Sequence, residues 1–536
     1  CRNTIRVMSG ICGIFNLDGK PVAAHELVAM TELMQRRGPD ASRHWHDDDV
    51  GLGHALLATT PELQFERQPF THSETGCVIT ADVRLDNRDE LIAALDIGQG
   101  PIGDAELILA AYLAWGEDCP NHLLGDFAFA VWDPRHRQVY CARDHSGMRQ
   151  LYYHFEPGQR FLFATDARAI LVVPDVPYRL NEGRIADFLV RELEWIDYTS
   201  TFFDGVFRLP PGHRAVASES GLEISEYWHP VPVTQSGKMS DEDYREGFLE
   251  VFTRAVEARL RAPNDTIGSM LSGGMDSGTV VAVAKELLAA SGRGPLPTYS
   301  CTVQSDSSHP EIEEIRSIAA AITMPAISPT VIESRSLADH VDAMIGGNEE
   351  PFDGECMLLK AIYRAAAIDN RRVILDGVAG DVVLGEGSYV FRLLRGGHLV
   401  RAAREIRGEC RYWNLKSCTN HFYRRIRSAA APEFARRLRK QSATAKADAL
   451  VTKSLISRSF ARQVRLDERV QRNRLMFPGT WSRDYASERC EAIRPNLTGG
   501  QERYARLAAA AGVEASDPFM DKRVVDYCSS LPGRLR

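Results

Sequence analysis

The chain has 536 residues and a net charge of −8 at pH 7, with 44% hydrophobic and 25% charged residues. This length exceeds one ordinary hydrophobic core, so it predicts at least two large domains. The acidic balance argues against nucleic acid as a partner, and no apolar stretch is long enough to span a membrane. The 11 scattered cysteines, without a C-x-x-C pair, and the lack of a secretory signal indicate a reducing, cytoplasmic setting.

The region up to about residue 230 has the pattern of an α+β sandwich. Short apolar runs bounded by turn residues predict strands, and such runs occur at 11–15, 77–84, 127–132 and 138–142. Asp133 and Pro134 mark a hairpin turn between the last two runs. Residues 105–115 have helical spacing and predict a helix.

This region resembles the N-terminal-nucleophile glutaminase domain of asparagine synthetases. The resemblance rests on SGICGIF at 9–15, RGPD at 37–40, Gly53-His54, FAFAVWD at 127–133 and ARDHSGMRQLYY at 142–153. It implies a sandwich of the N-terminal-nucleophile type over residues 1–230, which we call the first domain.

The residues that hydrolyse glutamine in that family are not matched here. Active members expose an N-terminal Cys directly before Gly-Ile, and its α-amine serves as the base; Ser9 takes this position inside the chain. Leu56 replaces the Arg that grips glutamine, and Asp82 replaces an Asn that donates to the oxyanion, which an ionised Asp cannot do. Only Asp104 is retained. We therefore expect that the first domain does not hydrolyse glutamine and serves as structure or as a docking wall for another substrate.

Two cysteines are alternative nucleophiles, and neither fits the pattern. Cys1 is followed by Arg-Asn-Thr instead of Gly-Ile, and Cys12 lies inside a predicted strand. If Met8 were the start and were removed, Ser9 would become terminal, but a site without its Arg and Asn would still not bind glutamine.

From about residue 240 onward, apolar strands alternate with amphipathic helices, which predicts an α/β domain with a parallel sheet and helices on both faces. A short strand at 266–271 runs into the Gly-rich turn 272–277 and then into a helix at 278–290. Such a turn directs backbone N–H groups and the positive end of the helix dipole toward an anion. A second strand at 373–375 ends in the sequence DGVAGD at 376–381.

These two turns resemble the nucleotide and metal loops of ATP pyrophosphatases. The string LSGGMDS at 271–277 is similar to the pyrophosphate loop, and 376–381 is similar to the second acidic loop. The resemblance implies ATP and Mg²⁺ as cofactors, with Asp276 and Asp381 as catalytic residues that bind the metal. Either Asp alone would be a helix N-cap, but the two at adjacent strand ends favour a metal site. The implied nucleotide-binding residues are Leu271, Ser272, Gly273, Gly274, Met275, Asp276, Ser277, Gly377 and Gly380.

Further similarity covers a strand at 297–302, Glu349-Glu350-Pro351 and PFMD at 518–521, so a synthetase-like second domain is expected over 231–536. Between residues 389 and 467 the pattern is helical and rich in Arg. A solvated insert is the favoured interpretation, and a platform for an acidic peptide or protein is the alternative. Related synthetases continue beyond this point into a loop whose Lys contacts the adenylate. We therefore expect the natural chain to be longer at its C-terminus, and a chain ending at Arg536 to ligate poorly.

The acidic loop favours one branch of the family. Asparagine synthetases carry a Glu and β-lactam synthetases a Tyr at the position of Val378, and both prepare the attacking nitrogen. Lasso-peptide cyclases, whose glutaminase domain is degenerate, resemble this chain better through DVRLDNRDEL at 82–91 and the Gly-x-x-Gly-Asp pattern of 377–381.

The cyclase resemblance implies ATP-dependent closure of an isopeptide (macrolactam) ring in a precursor peptide, with a leader peptidase and a leader-binding protein as further partners. The attacking α-amine, with a pKa of about 7.7–8.0, needs no strong base because a useful fraction is neutral. Asparagine synthetase fed by glutamine or ammonia, β-lactam synthetase, and a non-catalytic scaffold are the alternatives.

Overall fold

The structure is a computed structural model that describes residues 9–231, 239–303, 328–332, 357–384, 389–412, 443–476 and 500–532, with gaps at 36, 99, 195, 264 and 265, and also residues 419, 420, 423, 490, 493 and 535. For 301–303 and 328–332 only the backbone is described. The expectations placed on Cys1, on Glu349-Glu350-Pro351, on the chain end and on the arginines between 424 and 439 lie outside these residues.

Two antiparallel sheets of six strands each form the first domain. Their strands are β1 (Gly10–Asn16), β2 (Ala41–Asp47), β3 (Val50–Leu56), β4 (Phe70–Thr71), β5 (Val78–Leu85), β6 (Gly125–Asp133), β7 (Gln138–Arg143), β8 (Tyr152–Glu156), β9 (Arg160–Ala164), β10 (Phe207–Arg208), β11 (His213–Ser218) and β12 (Gly221–Glu226). The first sheet has the order β10-β8-β9-β1-β3-β2 and the second has the order β12-β11-β7-β6-β5-β4. The helices are α1 (Ala24–Met34), α2 (Arg88–Ala94), α3 (Asp104–Trp115), α4 (Ala167–Leu171) and α5 (Glu182–Leu189).

The two sheets pack face to face, and helices cover both outer faces. Phe15 of β1 contacts Trp132 of β6 across the core, with ring centroids 5.2 Å apart. α1 and α4 cover the first sheet, while α2 and α3 cover the second. Because both faces are covered, β1, β5 and β6 are buried along their whole length, which explains their continuous apolar runs. The layering agrees with the predicted sandwich, and α3 and the β6–β7 hairpin lie where the sequence predicted them.

The second domain contains a parallel sheet of five strands in the order given below. These strands are β13 (Ile267–Met270), β14 (Thr298–Val303), β15 (Ser328–Ile332), β16 (Val373–Leu375) and β17 (Glu514–Ser516). Its helices are α6 (Asp241–Arg259), α7 (Met275–Ala290), α8 (Met357–Ile368), α9 (Gly380–Leu384), α10 (Tyr389–Arg395), α11 (Leu399–Tyr412), α12 (Ala443–Val451), α13 (Arg458–Gln463), α14 (Leu466–Met476), α15 (Glu502–Ala511) and α16 (Lys522–Ser530). None of the helices in the described parts of the chain has the length and apolarity needed to pass through a bilayer.

The sheet order, β15-β14-β13-β16-β17, places the turns of interest side by side. α6, α7 and α16 cover one face, and α8 and α15 cover the other, as predicted for this region. α7 begins at Met275, three residues before the predicted start, because an extended Gly274 already serves as its N-cap. Since the strands are parallel, the turns after β13, β16 and β17 all lie at one edge of the sheet.

Part of the Arg-rich insert packs against the first domain. Apolar side chains of α12, α13 and α14 form a small core with α5 and the residues that follow it. Arg469 of α14 pairs with the buried Asp187 of α5 at 2.7 Å. This half of the insert is therefore a domain contact through its apolar side, although some of its arginines, such as Arg458 and Arg462, stay exposed.

Buried charges join the two domains. Glu502, the first residue of α15, accepts hydrogen bonds from three groups of the first domain: Arg143 at 2.9 Å, Arg208 at 2.9 Å and Tyr152 at 2.8 Å. Burial alone would raise its pKa, but Arg208 and Arg143 hold the pKa of this carboxyl well below its usual range. A guanidinium is seldom buried without such a partner, so the contact fixes how the domains meet.

A second buried link runs in the opposite direction. Arg259, the last residue of α6, reaches into the first domain and pairs with Asp126 of β6 and with Asp86. In return, Arg84 of β5 donates to the carbonyl groups of Ala258 and Arg261. Each domain thus supplies both cations and anions to a water-poor interface.

Candidate active site

The turn after β13 is shaped for close approach to an anion. Gly273 has a φ of +86°, a conformation that favours glycine. The Ser277 hydroxyl accepts a hydrogen bond from the Ser272 backbone N–H at 3.1 Å, which closes the turn at the start of α7. The first N–H groups of a helix have no partner within the helix, and here they face the turn. Leu271 is fully buried and anchors the turn, whereas Met275 is 85% exposed and leaves its outer side open.

The turn after β16 is held by two buried carboxyl groups. Asp376 accepts a hydrogen bond from the backbone N–H of Val378 at 3.3 Å, and Asp517, which follows β17, accepts one from Ala379 at 2.9 Å. α9 then begins at Gly380, so that Asp381 lies in its first turn.

The structure brings the two predicted loops into direct contact. A Cβ atom added to Gly380 would lie 2.3 Å from Cγ of Asp276, and one added to Gly377 would lie 2.8 Å from the backbone N of Ser277. Only glycine fits at these two positions. The backbone N–H of Asp381 also forms a hydrogen bond with the Asp276 carboxylate. All the nucleotide and metal residues predicted from the sequence therefore belong to two turns that touch.

The electrostatics of this edge suit a cation. Burial, followed by repulsion from Asp381, raises the pKa of Asp276 above its ordinary value. Among the described residues there is no group of three or more His, Cys, Asp or Glu side chains that could hold a metal by themselves. Mg²⁺ is usually held by one or two carboxylates while substrate phosphates and water complete its shell, so two acids beside an anion-binding turn fit Mg²⁺ bound together with ATP.

The segment 518–521 has a supporting role at the same edge. Asp517 accepts a hydrogen bond from the Phe519 backbone N–H at 3.0 Å and so begins the short 3-10 turn Pro518–Met520. Asp521 caps α16 by accepting from Arg523 N at 2.9 Å, and its side chain pairs with the Arg523 guanidinium at 2.7 Å. This acid is neutralised by its neighbour and is not available to a metal.

In the first domain, the side chains of Ser9 and Cys12, the candidate nucleophiles that the structure describes, are both engaged by other contacts. The Ser9 hydroxyl accepts from the backbone N–H of Leu57 at 2.9 Å and donates to its carbonyl at 3.3 Å. Cys12 is fully buried in β1 against Thr31, and burial raises the pKa of its thiol to about 12. A neutral thiol and a hydroxyl engaged by the backbone are both poor nucleophiles.

The remaining glutaminase positions are also occupied by other contacts. Leu56 ends β3 and offers no charge for a substrate carboxylate. Asp104, the retained acid, is buried between Arg88 and Arg261. Burial raises the pKa of Asp82 to about 6, and its nearest cation, Arg149, is 3.5 Å away and also binds Glu514.

Several important residues could not be identified from the sequence. The sequence around Glu502 and around Glu514 does not distinguish them from ordinary surface acids. Their partners are hundreds of residues away along the chain. Asp517 had one local signal, because an Asp directly before Pro is a common way to begin a helical turn.

The fold defines a protein with an amidotransferase-type first domain and a second domain whose parallel sheet carries a Gly-rich turn and two acids at its carboxyl edge. Residues 8–228 match the family described as glutamine amidotransferase domain, and residues 247–536 match the family described as asparagine synthase. The chain belongs to the asparagine synthase family. Asparagine synthetases are ATP-dependent carbon–nitrogen ligases that form AMP and pyrophosphate.

Curated relatives from three organisms are similar over about half of the chain. Asparagine synthetase [glutamine-hydrolyzing] 3 of Bacillus subtilis is 30% identical over 310 residues, covering 56% of this chain and 49% of the relative. The amidase chry2 of Gibberella zeae is 30% identical over 51% of this chain and 41% of its own length. A putative asparagine synthetase [glutamine-hydrolyzing] 2 of Methanocaldococcus jannaschii is 27% identical over 52% of this chain and 57% of its own length. The chain thus spans about half the length of the curated relatives it matches.

Proposed function

We propose that this chain is an ATP-dependent carbon–nitrogen ligase that converts a carboxylate into its adenylate and then transfers the acyl group to an amine. The observation that supports this most directly is the contact between the Asp276 and Asp381 turns at the carboxyl edge of the parallel sheet. In the first step a carboxylate oxygen attacks the α-phosphorus and pyrophosphate leaves. In the second step the amine attacks the acyl carbon and AMP leaves.

The residues of the site have distinct roles in this proposal. The backbone N–H groups around Gly273 and Gly274 would bind the leaving pyrophosphate, and Asp276 and Asp381 would hold Mg²⁺. Bound there, Mg²⁺ would screen the charge that opposes attack of a carboxylate on a phosphate. The glycines at 377 and 380 allow the acidic turn to pack directly against Asp276 and Ser277.

The test is ATP–pyrophosphate exchange with Mg²⁺ and a set of carboxylate substrates. We expect exchange in the wild type and a loss of about 10²–10³-fold in Asp276→Asn, because the substitution removes a charged group that would act on the transition state. Glu286→Gln is the matched control, since it makes the same chemical change on an exposed position of α7. Exchange that survives in Asp276→Asn would show that this Asp is only a helix-start residue.

For the acyl acceptor, we propose the α-amine of a precursor peptide, with ring closure onto an Asp or Glu side chain, in the cytoplasm. Support comes from the resemblance of 82–91 and 377–381 to lasso-peptide cyclases, and from Val378, which has no group that could prepare a nitrogen. Ser9 and Cys12 of the first domain are engaged by other groups, which argues against ammonia delivered from glutamine. A leader peptidase and a leader-binding protein would be further partners.

Mass spectrometry can separate this proposal from its alternatives. A linear peptide with a free N-terminus should lose one water in the presence of ATP, while the same peptide with an acetylated N-terminus should not. Product from aspartate and ammonia would favour asparagine synthesis, and product from a β-amino acid would favour β-lactam formation. Absence of any AMP would favour a scaffold.

The exposed face of α11 is a candidate contact for an acidic part of such a peptide. Arginines recur along it on the side opposite the buried residues, at Arg401, Arg404, Arg407 and Arg411. The chain has a net charge of −8, but this stripe makes the surface of α11 positively charged. It would therefore attract an acidic segment of a peptide.

Substitution within the stripe tests this contact. We expect the double variant Arg404→Ala with Arg407→Ala to raise the KM for an acidic peptide several-fold, with little change in kcat, and added salt to diminish the difference. Arg458→Ala, at an exposed position of α13, is the control. An unchanged KM would leave the stripe as a solvated face.

A further inference from the structure

Two buried carboxyl groups lie behind the acidic loop, where no substrate group is expected. Asp376 follows β16 and Asp517 follows β17, and the backbone N–H of Asp376 donates to the carbonyl of Ser516 at 2.9 Å. Their exposed fractions are 2% and 1%. The two carboxyl groups lie within hydrogen-bonding contact of each other.

The hydrogen-bond donors around this pair are distributed unequally. Asp517 accepts from three groups: Phe519 N at 3.0 Å, Ala379 N at 2.9 Å and Gln501 Nε2 at 3.3 Å. Among the described residues, the donors to Asp376 form long bonds, from Val378 N at 3.3 Å and from the Tyr363 hydroxyl at 3.4 Å.

In the described part of the chain, ionisable groups face the pair from α6 and α8. On α6, Arg259 already pairs with Asp126 and Asp86. On α8, the Tyr363 hydroxyl is neutral, since burial raises its pKa well above the ordinary value. Two ionised carboxylates in contact at such a site would be strongly unfavourable.

We propose that Asp376 and Asp517 share one proton, that this proton is held on Asp376, and that the pair positions the loop that carries Asp381. Asp376 then donates to the Asp517 carboxylate, and Asp517 holds the backbone N–H of Ala379. Both are positioning residues, because they act on the metal site through the loop. The role of Asp381 rests on the proposed ligase function, whereas the location of the proton does not.

The surroundings of the two carboxyl groups shift their pKa values in the direction that places the proton on Asp376. Burial, and next the charge of Asp517, raises the pKa of Asp376 well above its ordinary value. Burial raises the pKa of Asp517 only to about 6. Near neutral pH the pair therefore carries one negative charge, located on the residue with the larger number of donors.

The proposal predicts opposite outcomes for two chemically identical substitutions. Asp376→Asn places an amide donor where the acid O–H was, so exchange should stay within about threefold of the wild type. Asp517→Asn replaces an acceptor of backbone N–H groups by an amide with one acceptor oxygen only, so exchange should fall about tenfold or more. Asp448→Asn, on an exposed position of α12, is the control.

A pH profile of the exchange reaction gives a readout that a purely structural role would not move. Wild type and Asp376→Asn should both lose exchange as pH falls through about 6, because Asp517 then takes up a second proton and releases its donors. If Asp376 were the ionised partner, its removal would shift this loss to lower pH. Equal losses in the two variants, or a shifted profile in Asp376→Asn, would overturn the proposal.

Infrared spectroscopy locates the proton without any activity. At neutral pH the wild type should show carbonyl bands of buried carboxylic acids, including that of Glu66, whose pKa burial raises to about 8. The difference spectrum between wild type and Asp376→Asn should show that one further band, that of the shared proton, is lost. Loss of the band in Asp517→Asn alone would reverse the assignment. If the wild type shows the band of the shared proton but no exchange with any substrate, the ligase proposal fails while the shared proton stands. Failure of the ligase proposal and failure of the shared-proton proposal can thus be distinguished even if Asp517→Asn does not fold.

Discussion

The degenerate glutamine pocket and the carboxyl edge of the parallel sheet both bury acidic side chains, but they give them different surroundings. In the first domain, Asp104 lies between two arginines, and Asp82 lies near Arg149. At the sheet edge, the charged group acting on Asp276 is a second acid, Asp381. A buried acid beside an arginine forms an ion pair that can link two domains. Two acids that face each other repel, and a bound cation would reduce this repulsion. In the first domain these acids thus lie beside arginines, while at the sheet edge two acids face each other.

The largest effect should follow from removing the central acid of the interface. Glu502→Ala would leave Arg143, Arg208 and Tyr152 without their shared acceptor, and breaking such a buried arrangement usually costs about 3–5 kcal/mol. Chemical denaturation should show this loss in the free energy of unfolding. Glu286→Ala, at an exposed position, should change it by less than about 0.5 kcal/mol. Equal effects would contradict the distinction between paired and exposed acids.

A smaller, pH-dependent effect is expected at Asp82. Its pKa in the folded chain is about 6, above the ordinary 3.8, so folding favours the protonated form and the group destabilises the fold as pH rises from about 4 to about 6. Asp82→Asn should therefore gain stability relative to the wild type over this range, by at most about 3 kcal/mol. Unfolding curves at several pH values measure the difference. A gain that is the same at every pH would argue that Asp82 stays ionised beside Arg149.

At the sheet edge the sign of the effect should be the opposite of that at Glu502. Asp276→Asn removes the repulsion from Asp381, so in the absence of ATP and Mg²⁺ we expect a rise of about 0.5–2 kcal/mol in the free energy of unfolding. Addition of ATP and Mg²⁺ should stabilise the wild type more than the variant. A less stable ligand-free variant would mean that the hydrogen bond from the Asp381 backbone N–H outweighs the repulsion between the two carboxylates.

The smallest effect concerns Ser9. Ser9→Ala should lose about 0.5–1.5 kcal/mol of stability, because the hydroxyl bridges the backbone of Leu57. Neither the wild type nor the variant should release glutamate from glutamine above a protein-free blank. Glutamate release by the wild type that disappears in Ser9→Ala would show that this hydroxyl is a nucleophile after all.

The sequence predicted well those features that depend on local patterns. The buried strands β1, β5 and β6, the helix α3 and the alternation of strand and helix in the second domain all follow from periodicity and turn residues. The site loops were also predicted, because a strand, two glycines and an Asp in close succession already specify their geometry. The start of α7 differed, since a glycine turn needs fewer residues than the pattern suggested.

Contacts between distant residues were beyond such reasoning. Arg259 reads as an ordinary cation at the end of an amphipathic helix, yet it is almost fully buried against Asp126, 133 residues earlier. The proton shared by Asp376 and Asp517 depends on two strands whose adjacency in the sheet had no local signal. Likewise, the packing of α12 to α14 against α5 converts part of a basic segment from a predicted solvated surface into core.

The reciprocal burial of charge at the domain boundary also bears on protein engineering. Glu502 and Glu514 place their carboxylates against first-domain partners, and Arg259 does the same with its guanidinium. Neither domain can therefore be replaced by a homologous domain without changing the charged residues that it contacts. A chimera that grafts a working glutaminase onto this synthetase half would need to bring counterparts of Arg143, Arg149 and Asp126 along with its own catalytic residues.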